Sequence, residues 1–552
     1  MSTQGLDYFG HVILPVLIHW VSPKRHHVST ILRSFAMLKP SHLLAATLFF
    51  AATARAADWP TFGHDPQRSG WAVEERTLTP ANVGDLEMKW KVKVKNESYS
   101  LSALTIPVVA GNVSTIKGIK NVVYVAGIGG TVFALETETG EVVWSRNLPT
   151  HTTPKPGGFQ GTFLCPNGIT ATPVIDRRTE TLYELSGDGM LYGLDLGSGH
   201  PRFAPIQVVP PFSKMLSLNL SGNTIYTTLT QGCGGALSGI YSVDVTDPHH
   251  PTIREALFSN TDTAGLWGRG GPVIGTNGRV YGNTADGKFN TQSGDYSNTV
   301  ISVSLHSLDS IDYYLPPNWV YLDKKDLDLG ATSPTYFGWK DRNLIAAASK
   351  ESVVYLLDAD SLGAKDHQTA LYTSPKLGNS GDICCQGLGI WGAMSTSRDP
   401  EGRTWLYVPM GGPVAPTAPR FPLTNGDSPH GSVMAFVVAE DPKTQKPVLE
   451  PQWISGDFNI PDPSVIANGV LFALATGENA NQNGGEAQRF KSTQPAVLRA
   501  LDAHTGKELF NSGSAFSTWV HFSGLSISDG QVFAVDHDSN VYCFGLKTST
   551  NK

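Results

Sequence analysis

The sequence predicts an all-β fold: an eight-bladed β-propeller of four-stranded antiparallel blades, closed by an N-terminal strand. Three observations lead to this prediction. A meander of short strands recurs along the chain, its opening strand occurs eight times, and the composition is that of a turn-dense protein. Charged residues form 16% of the chain, with 57 glycines and 36 prolines among 552 residues. This composition is typical of short strands joined by tight turns, and it makes long helices improbable.

The meander is clearest in the second hundred residues. Three β-rich runs, Val122–Ala126, Thr131–Leu135 and Glu141–Trp144, are separated by Gly129-Gly130 and Thr139-Gly140, whose glycines supply the positive φ of tight hairpin turns. Such a small sheet is marginal in water, so it must stack against neighbours of the same kind. Later copies begin at Thr181, Asn343, Val497 and Gln531.

Eight segments have the character of an innermost strand that opens a blade, so eight blades are predicted. They begin at Ile106, Ala171, Met215, Gly270, Thr332, Trp391, Pro461 and Ser523. Their spacing of roughly 45 to 70 residues exceeds that of compact propeller repeats, because several loops carry insertions. Four long loops are either functional loops or plain spacers. They are Gln207–Lys214, Asn290–Asn298, Pro409–Gly431 and Asn479–Pro495.

The ring is predicted to close through a strand near the N-terminus. Residues Leu86–Val94 alternate like a strand and have the character of the fourth strand of a repeat, whereas the last repeat ends at Gly545-Leu546 after only three strands. An N-terminal fourth strand would remove the exposed edge of a cut ring. The propeller is therefore assigned to residues 86–546, preceded by a lead-in segment at 57–85.

Residues 37–56 have the pattern of a secretory signal peptide. MLKPSHLLAATLFFAATARA combines a basic start, an apolar centre and a small-x-small ending. We expect export to the periplasm or the extracellular space, a mature chain that begins at about Ala57, and no structural role for the upstream extension at 1–36. No later segment is apolar enough to span a bilayer, so the mature protein is not expected to be membrane-spanning.

The charge balance argues against two classes of partner. The formal net charge is −7 and the isoelectric point is about 6.1, with no basic run along the chain. Nucleic acid and anionic lipid surfaces are recognised through clustered Lys and Arg. The expected partners are a small-molecule substrate or a protein, and no nucleic acid.

Five cysteines in an exported chain are expected to pair where they can. Cys543 lies in an apolar strand and is predicted to be a buried thiol. The other four allow three connectivities, of which Cys165–Cys233 with a bond between the adjacent Cys384 and Cys385 is preferred. No Cys-x-x-Cys-His motif occurs, so covalently attached c-type haem is not expected.

A set of residues is expected to converge at one face of the ring, because the positions just before each inner strand meet near the propeller axis. These residues are Arg269, Asp328, Trp391, Asp462 and His521, with Trp267 nearby. Such side chains could bind a polyanionic or quinone-like ligand. The alternative is that they satisfy backbone groups of their own loops.

The lead-in WPTFGHDPQRSG, the ALxxxTGxxxW-type repeat and the opening ATPVID resemble proteins with a pyrroloquinoline-quinone (PQQ) type propeller, including quinoprotein alcohol dehydrogenases. The resemblance covers nearly all of residues 58–546. It implies an exported quinoprotein that oxidises an alcohol or sugar with PQQ and calcium and passes electrons to a separate acceptor. The same ring also serves non-catalytic proteins, such as an outer-membrane assembly lipoprotein. The alternative is therefore a scaffold that binds a protein, peptide or glycan.

The resemblance also implies roles for individual residues. Asp286, in VYGNTADGKF, occupies the place of a calcium-binding Asn, and Asp is a competent hard-oxygen ligand. Asp328, in DLDLGATSP, would be the general base and a second metal ligand, and Lys350 would contact the quinone oxygens. As alternatives, each could be an ordinary turn residue.

The stacking partners of the quinone depart from the family pattern. In the family, a tryptophan floor and a vicinal disulfide from an early blade enclose the quinone. Here the aligned floor position falls in Gly271-Pro272-Val273, and Cys384-Cys385 follows the fifth blade. Trp391 is the candidate substitute, and Cys384, Cys385, Arg269 and His521 complete the predicted cofactor-binding set.

Overall fold

The computed structural model describes residues 57–153, 159–521 and 523–548. In these residues the chain forms eight small, mainly antiparallel sheets in sequence order, with two further two-stranded pairs. The predicted eight-bladed propeller is confirmed. The signal peptide predicted at 37–56 and the extension at 1–36 lie outside the described residues. No helix in the described ranges is long and apolar enough to cross a membrane.

The first four blades each run from an innermost to an outermost strand. Blade 1 consists of Val108–Thr115, Gly118–Ala126, Thr131–Glu136 and Val142–Asn147. Blade 2 consists of Val174–Asp176, Thr181–Leu185, Met190–Asp195 and Ile206–Gln207. Blade 3 consists of Asn219–Ser221, Thr224–Thr230, Gly239–Asp244 and Thr252–Leu257, with Lys214–Met215 added beside its second strand. Blade 4 consists of Val273–Ile274, Arg279–Asn283, Val300–Ser304 and Asp312–Tyr314, with a side hairpin of Phe289–Asn290 and Asp295–Tyr296.

The other four blades repeat this order. Blade 5 consists of Thr335–Trp339, Arg342–Ala348, Val354–Asp358 and Tyr372–Thr373. Blade 6 consists of Ser395–Arg398, Thr404–Gly411, Gly431–Glu440 and Pro447–Ile454, with short strands Gly389–Ile390 and Leu423–Thr424. Blade 7 consists of Val465–Ala467, Val470–Ala475, Val497–Asp502 and Glu508–Asn511. Blade 8 consists of Ser526–Ser528, Gln531–Val535, Asn540–Leu546 and Leu86–Lys93. Thr332–Ser333 pairs in parallel with Gly392–Ala393.

Helical structure in the described residues is limited to short segments between or beside blades. Two α-helices, α1 at Trp319–Lys325 and α2 at Gly485–Lys491, lie in the loops before blade 5 and within blade 7. Short 3-10 turns occur at Val83–Asp85, Cys233–Gly235, Leu329–Ala331, Ala364–Asp366 and Gln482–Gly484.

The closing strand forms as predicted. Leu86–Lys93 pairs antiparallel with Asn540–Leu546, with Leu86 opposite Leu546 and Lys93 opposite Asn540. Leu86 and Trp90 are buried while the residues between them face solvent, which is the pattern of a strand that covers a core on one side only. The last blade therefore has four strands although its chain segment supplies three.

The Trp and Thr-Gly positions of the ALxxxTGxxxW-type repeat contact each other across the boundary between neighbouring blades. A tryptophan in the fourth strand of one blade packs over a turn glycine of the next and donates its indole N–H to a carbonyl of that turn, at 2.7 to 3.0 Å. Each glycine has positive φ, and a Cβ there would come within 3 Å of the indole ring. The pairs are Trp90 with Gly140, Trp144 with Gly199 and Trp453 with Gly506. The repeat signature is thus an inter-blade contact.

The lead-in segment makes a circuit inside the ring of innermost strands. Its backbone and side chains hydrogen-bond to the eight blades, beginning with Trp59 paired to Val109 of blade 1 at 2.9 Å. The next contacts are Pro60 with Ile175, Thr61 with Leu218, Pro66 with Ile274, Gln67 with Tyr336, Ser69 with Thr396 and Gly70 with Ile466. At blade 8 the Glu75 carboxylate accepts from the Gly530 N–H at 2.9 Å. The circuit therefore uses one partner from every blade.

Arg68 fixes this circuit from within. Its side chain is 1% exposed and donates to Thr61 Oγ1 and to the carbonyls of Phe62 and Leu218, at 2.7 to 2.9 Å. Burial lowers the pKa of Arg68 to about 9, with partial compensation from Asp65. A buried guanidinium with so many carbonyl partners holds the lead-in in one conformation.

The preferred cysteine connectivity is confirmed. Cys165 is bonded to Cys233, which joins the segment before blade 2 to a turn of blade 3, and Cys384 is bonded to Cys385. Cys543 is a buried free thiol, as predicted, and burial raises its pKa far above the usual range.

Candidate functional site

A cavity of about 380 Å³ lies where the loops that precede the innermost strands converge. Its volume falls within the range of small-molecule and cofactor pockets. Its wall contains seven of the eight residues predicted to bind a cofactor, a metal or a substrate. These seven are Arg269, Asp286, Asp328, Lys350, Cys385, Trp391 and His521. Cys384 is the exception, although its disulfide bond to Cys385 keeps it beside the wall.

Lys350 is at the centre of the acidic part of the wall. Its ammonium lies 2.6 Å from Asp326 Oδ1 and 2.6 Å from Asp328 Oδ1. The side chains of Lys350 and Asp328 are 5% and 1% exposed, so the pairing takes place away from bulk water. Burial alone would lower the pKa of Lys350, but the two carboxylates outweigh it and raise the pKa. Lys350 is held in its charged form.

Local backbone structure brings these groups together. Asp326 ends α1 with φ of 52°, in the left-handed region, and two residues later Asp328 immediately precedes the 3-10 turn that leads into blade 5. Lys350 occupies the turn between the second and third strands of the same blade. The spacing of two residues lets both carboxylates reach one ammonium. Sequence reasoning assigned no role to Asp326, although this spacing in DLDLG was visible.

Asp326 and Asp286 are less acidic than ordinary carboxyl groups. Burial, followed by the negative charge of Asp328, raises the pKa of Asp326 to about 6. The same two causes raise the pKa of Asp286, which faces the cavity from the loop after the second strand of blade 4. The carboxylates therefore repel one another in a region that Lys350 only partly neutralises.

Two tryptophans form an aromatic wall beside this cluster. The rings of Trp267 and Trp391 have centroids 5.5 Å apart, and the Lys350 ammonium lies 5.0 Å and 5.2 Å from them. Trp267 Nε1 donates to Asp328 Oδ2 at 3.1 Å. The resemblance placed the floor position at Gly271-Pro272-Val273, whereas the tryptophan at the wall is Trp267, four residues before Gly271. Trp267 was identified from sequence only as an apolar neighbour.

The vicinal disulfide reaches the cavity although it follows blade 5 in sequence. Cys385 Sγ lies 3.1 Å from Asp326 Oδ2, and the Cys385 carbonyl accepts from the Gln482 N–H at 2.9 Å. Asp326, Cys384 and Cys385 are the one group of three candidate metal ligands that lie close together in the described ranges. The two sulfurs are joined to each other and offer no thiolate, so this group is a poor metal site.

A second part of the wall is basic. Arg269 and Lys214 both line the cavity, and Lys214 Nζ donates to Gln231 Oε1 at 2.9 Å. Burial, followed by the charge of Arg269, lowers the pKa of Lys214 to about 7. Lys214 was not predicted as a site residue. It ends the loop Gln207–Lys214, which the sequence marked as long and without periodicity.

His521 is held by a buried carboxylate, Glu478, that the sequence did not reveal. Its Nδ1 lies 2.8 Å from Glu478 Oε2, and the other Glu478 oxygen is bonded to the Arg489 guanidinium of α2. Burial, against the opposing pull of Glu478, lowers the pKa of His521 to about 4. Burial alone would raise the pKa of Glu478, but His521 and Arg489 outweigh it and lower the pKa. His521 is therefore neutral beside an ionised carboxylate.

Asp462 was predicted either to face a ligand near the axis or to satisfy backbone groups of its own loop, and it does the second. It is fully buried and does not line the cavity, and its Oδ2 accepts from the Gly524 N–H at 2.6 Å. Burial raises the pKa of Asp462 to about 7. This carboxyl satisfies a loop backbone group.

Comparison with known proteins agrees with this fold. A profile of the PQQ-repeat family, described as outer membrane protein assembly factor BamB, matches residues 61–247, from the lead-in to blade 3. No curated protein sequence matches the chain.

Three similar solved structures are alcohol or methanol dehydrogenases. The quinohemoprotein alcohol dehydrogenase ADHIIG of Pseudomonas putida HK5 has a TM-score of 0.54 at 12% identity, over 89% of this chain and 80% of that one. The quinohemoprotein alcohol dehydrogenase of Comamonas testosteroni has a TM-score of 0.53 at 13% identity, over 90% and 82%. A europium-containing methanol dehydrogenase has a TM-score of 0.55 at 12% identity, over 89% and 98%.

At these identities the similarity concerns the fold. The PQQ-type repeats recognised in the sequence, the matching family profile and the solved structures agree with one another. The chain is a β-propeller, and its residues 61–247 match the PQQ-repeat profile.

Proposed function

We propose that the protein is an exported quinoprotein oxidoreductase that binds PQQ in the axial cavity and oxidises an alcohol or sugar. The observation that carries the proposal is the convergence of Asp328, Lys350 and Asp286 with two tryptophans and a disulfide on one cavity wall. These residues lie between positions 267 and 391, in and before the consecutive blades 4, 5 and 6. A scaffold has no need to gather a paired carboxylate, a buried lysine and an aromatic wall at one point.

The wall fits a planar quinone that carries carboxylates. Trp267 and Trp391 supply flat apolar surface, and Lys350, Arg269 and Lys214 supply positive charge toward quinone and carboxylate oxygens. The vicinal disulfide adds a second apolar surface through Cys385. Bound PQQ would supply the hydride acceptor that the protein's own side chains lack.

Asp328 is the proposed proton acceptor for the substrate hydroxyl. Trp267 donates to its Oδ2 and Lys350 pairs with its Oδ1, so both carboxylate oxygens are fixed in direction. A base held by two donors keeps its place while substrate enters, which favours productive geometry. Asp326 shares Lys350 with Asp328, so the ammonium stays paired when Asp328 takes up a proton.

Asp286 and Asp328 would hold calcium. Carboxylate oxygens are the donors that Ca²⁺ prefers. The negative charge of Asp328 contributes to the raised pKa of Asp286, so a divalent cation would relieve an existing repulsion. Calcium bound there would also lie beside the cavity that receives the quinone.

The test is a titration of the purified protein with PQQ, with and without Ca²⁺, followed by cofactor absorbance. Dye reduction is then measured with a panel of alcohols and aldoses, since electrons must pass to a separate acceptor. We expect saturable uptake at micromolar PQQ and turnover with at least one substrate. Absence of saturable uptake would contradict the proposal.

The second candidate is a scaffold that binds a protein, peptide or glycan. It is favoured by one observation, the match of residues 61–247 to a profile described as an outer membrane protein assembly factor. Binding of a partner that is unaffected by Asp328→Asn and by PQQ would support the scaffold over the oxidoreductase.

A further inference from the structure

Lys214 and Arg269 differ from the other cations of the cavity in having no counter-ion. In the residues that the structure describes, no carboxylate lies within 4.0 Å of either side chain, whereas Lys350 contacts two aspartates and Arg489 contacts Glu478. The Arg269 guanidinium makes no hydrogen bond to a described residue, and Lys214 donates only to the neutral Gln231. Two positive charges are therefore presented to the cavity uncompensated.

The two charges are close enough to oppose each other. Arg269 contributes to the lowered pKa of Lys214, and burial lowers the pKa of Arg269 as well. Glu478 and Asp462 act on Arg269 from beyond ion-pair distance and only partly offset its burial. Two like charges on a partly desolvated wall are unfavourable unless an anion joins them.

The neighbouring groups complete a hydrogen-bonding wall. Gln231 uses its carbonyl oxygen for Lys214, and no described residue accepts a hydrogen bond from its amide nitrogen. Gln231 also lines the cavity. An anion here could therefore meet an ammonium, a guanidinium and an amide N–H₂, which together suit the two oxygens of a carboxylate.

Another part of the cavity wall carries negative charge, because Asp286, Asp326 and Asp328 line it. A ligand bound across the cavity would meet positive charge at one end and carboxylates at the other. A neutral alcohol satisfies only the acidic end, because its hydroxyl can donate to Asp328. A hydroxy acid satisfies both ends, since it carries a carboxylate as well as an oxidisable hydroxyl.

We propose that Lys214 and Arg269 form a subsite for the carboxylate of a hydroxy-acid substrate. The hydroxy-acid class rests on the proposed function, through Asp328, but the carboxylate contact does not. The carboxylates of the quinone cofactor are the alternative occupant, and the experiment separates them from the substrate.

The experiment compares binding of d-gluconate with binding of its neutral counterpart d-sorbitol by calorimetry, first without and then with PQQ. The variants are Lys214→Met and Arg269→Met. The matched control is Lys340→Met, which removes a surface lysine paired with Glu440. Lys214→Arg keeps the charge and should retain affinity. Circular dichroism and melting temperature establish that each variant is folded.

If the substrate supplies the carboxylate, wild type binds gluconate more tightly than sorbitol. Lys214→Met and Arg269→Met then each weaken gluconate binding about 10- to 100-fold, as expected for a lost charge-assisted contact, and leave sorbitol unchanged. If the quinone occupies the contact, the same variants weaken PQQ binding and leave gluconate binding unchanged, and this result would overturn the substrate subsite. If the affinities for gluconate and for PQQ are both unchanged in folded variants, the subsite is overturned.

Failure of the subsite and failure of the proposed function give different results. If PQQ does not bind but gluconate affinity depends on Lys214 and Arg269, the oxidoreductase proposal fails and the subsite stands. If PQQ binds and turnover is observed with Lys214→Met as with wild type, the subsite fails and the oxidoreductase stands.

Discussion

The lead-in circuit and the axial cavity both lie at the centre of the ring, yet they are built from different chemistry. The circuit joins the eight blades mainly through backbone hydrogen bonds and one buried arginine that is satisfied by carbonyls. The cavity is lined by side chains whose charges are paired at Lys350 and Arg489 and uncompensated at Lys214 and Arg269. The arginine of the circuit is therefore bound within the protein, whereas Lys214 and Arg269 of the cavity are available to a ligand.

This difference separates stability from function along a single axis. Changes in the circuit should lower the melting temperature and leave the ligand chemistry of the cavity intact. Changes in the cavity should weaken ligand binding and leave the melting temperature nearly unchanged, because Asp328, Lys214 and Arg269 lie at the wall and not between blades.

The largest effect is expected from deleting Leu86–Lys93. Without this strand, blade 8 has three strands and Asn540–Leu546 becomes an exposed edge, while the core around Trp90 opens. We expect aggregation or loss of cooperative melting, measured by solubility and calorimetry. The control Lys93→Ala changes an exposed side chain and keeps the backbone ladder. A soluble deletion protein with wild-type melting would show that the ring does not depend on this closure.

Asp328→Asn should affect the cavity alone. The amide keeps the shape and the hydrogen bond from Trp267 but cannot accept a proton, and loss of a general base typically lowers the rate about 10²- to 10⁴-fold. Lys350 retains Asp326 as a partner, so the stability change should be about 1 kcal/mol. Turnover and melting temperature are measured on the same protein. Reduced stability with unchanged turnover would exclude the catalytic role.

Arg68→Met is the converse experiment. It leaves the carbonyl of Phe62 without its side-chain donor and removes one of the two donors to the carbonyl of Leu218, at a cost of about 3 kcal/mol in unfolding free energy. PQQ affinity should stay within about twofold of wild type, because Arg68 does not line the cavity. Chemical denaturation and PQQ titration check the two expectations, with the exposed Arg398→Met as control. A large loss of PQQ affinity in a folded variant would mean that the two regions are coupled.

The smallest expected effect is a pH dependence of carboxylate binding. Lys214 is charged below its pKa of about 7 and neutral above it, so gluconate affinity should fall as pH rises from 6 to 8. His521 stays neutral over this interval, but Asp326, with a pKa of about 6, and Asp462, with a pKa of about 7, gain negative charge and weaken anion binding in the same direction. Lys214→Arg isolates the lysine, and its affinity should vary less with pH. An equal pH dependence in both proteins would assign the effect to the carboxyl groups of Asp326 and Asp462 instead of Lys214.

The blade count was predictable because its signature is local. The contact of Trp144 with Gly199 requires a large residue in one strand and a glycine with positive φ in the next turn, and both leave a mark in the sequence. The positions before the inner strands were predictable for a related reason. Propeller geometry alone brings Arg269 and Asp328 to one cavity.

The circuit and the counter-ions were not predictable in this way. Pro60, Pro66 and Ser69 contact the blades through their backbone carbonyls. Because every residue type has a backbone carbonyl, these contacts produce no recognisable pattern in the sequence. Glu478 and Arg489 meet because α2 folds back within a long loop, and no periodicity describes that path. Among the residues that the structure describes, Lys214 has no carboxylate partner, and such a property depends on the whole three-dimensional surroundings.

The closing strand and the lead-in precede every blade in the chain, and this order constrains assembly. Leu86–Lys93 cannot find its partner until Asn540–Leu546 has been synthesised, and the lead-in cannot complete its circuit until all eight inner strands exist. Contacts that span more than 400 residues form late, and unpaired edges invite association in the meantime. The lead-in and the closing strand are thus synthesised before the blades but pair after them. We expect newly made chains to be prone to aggregation until the C-terminal strand has been synthesised.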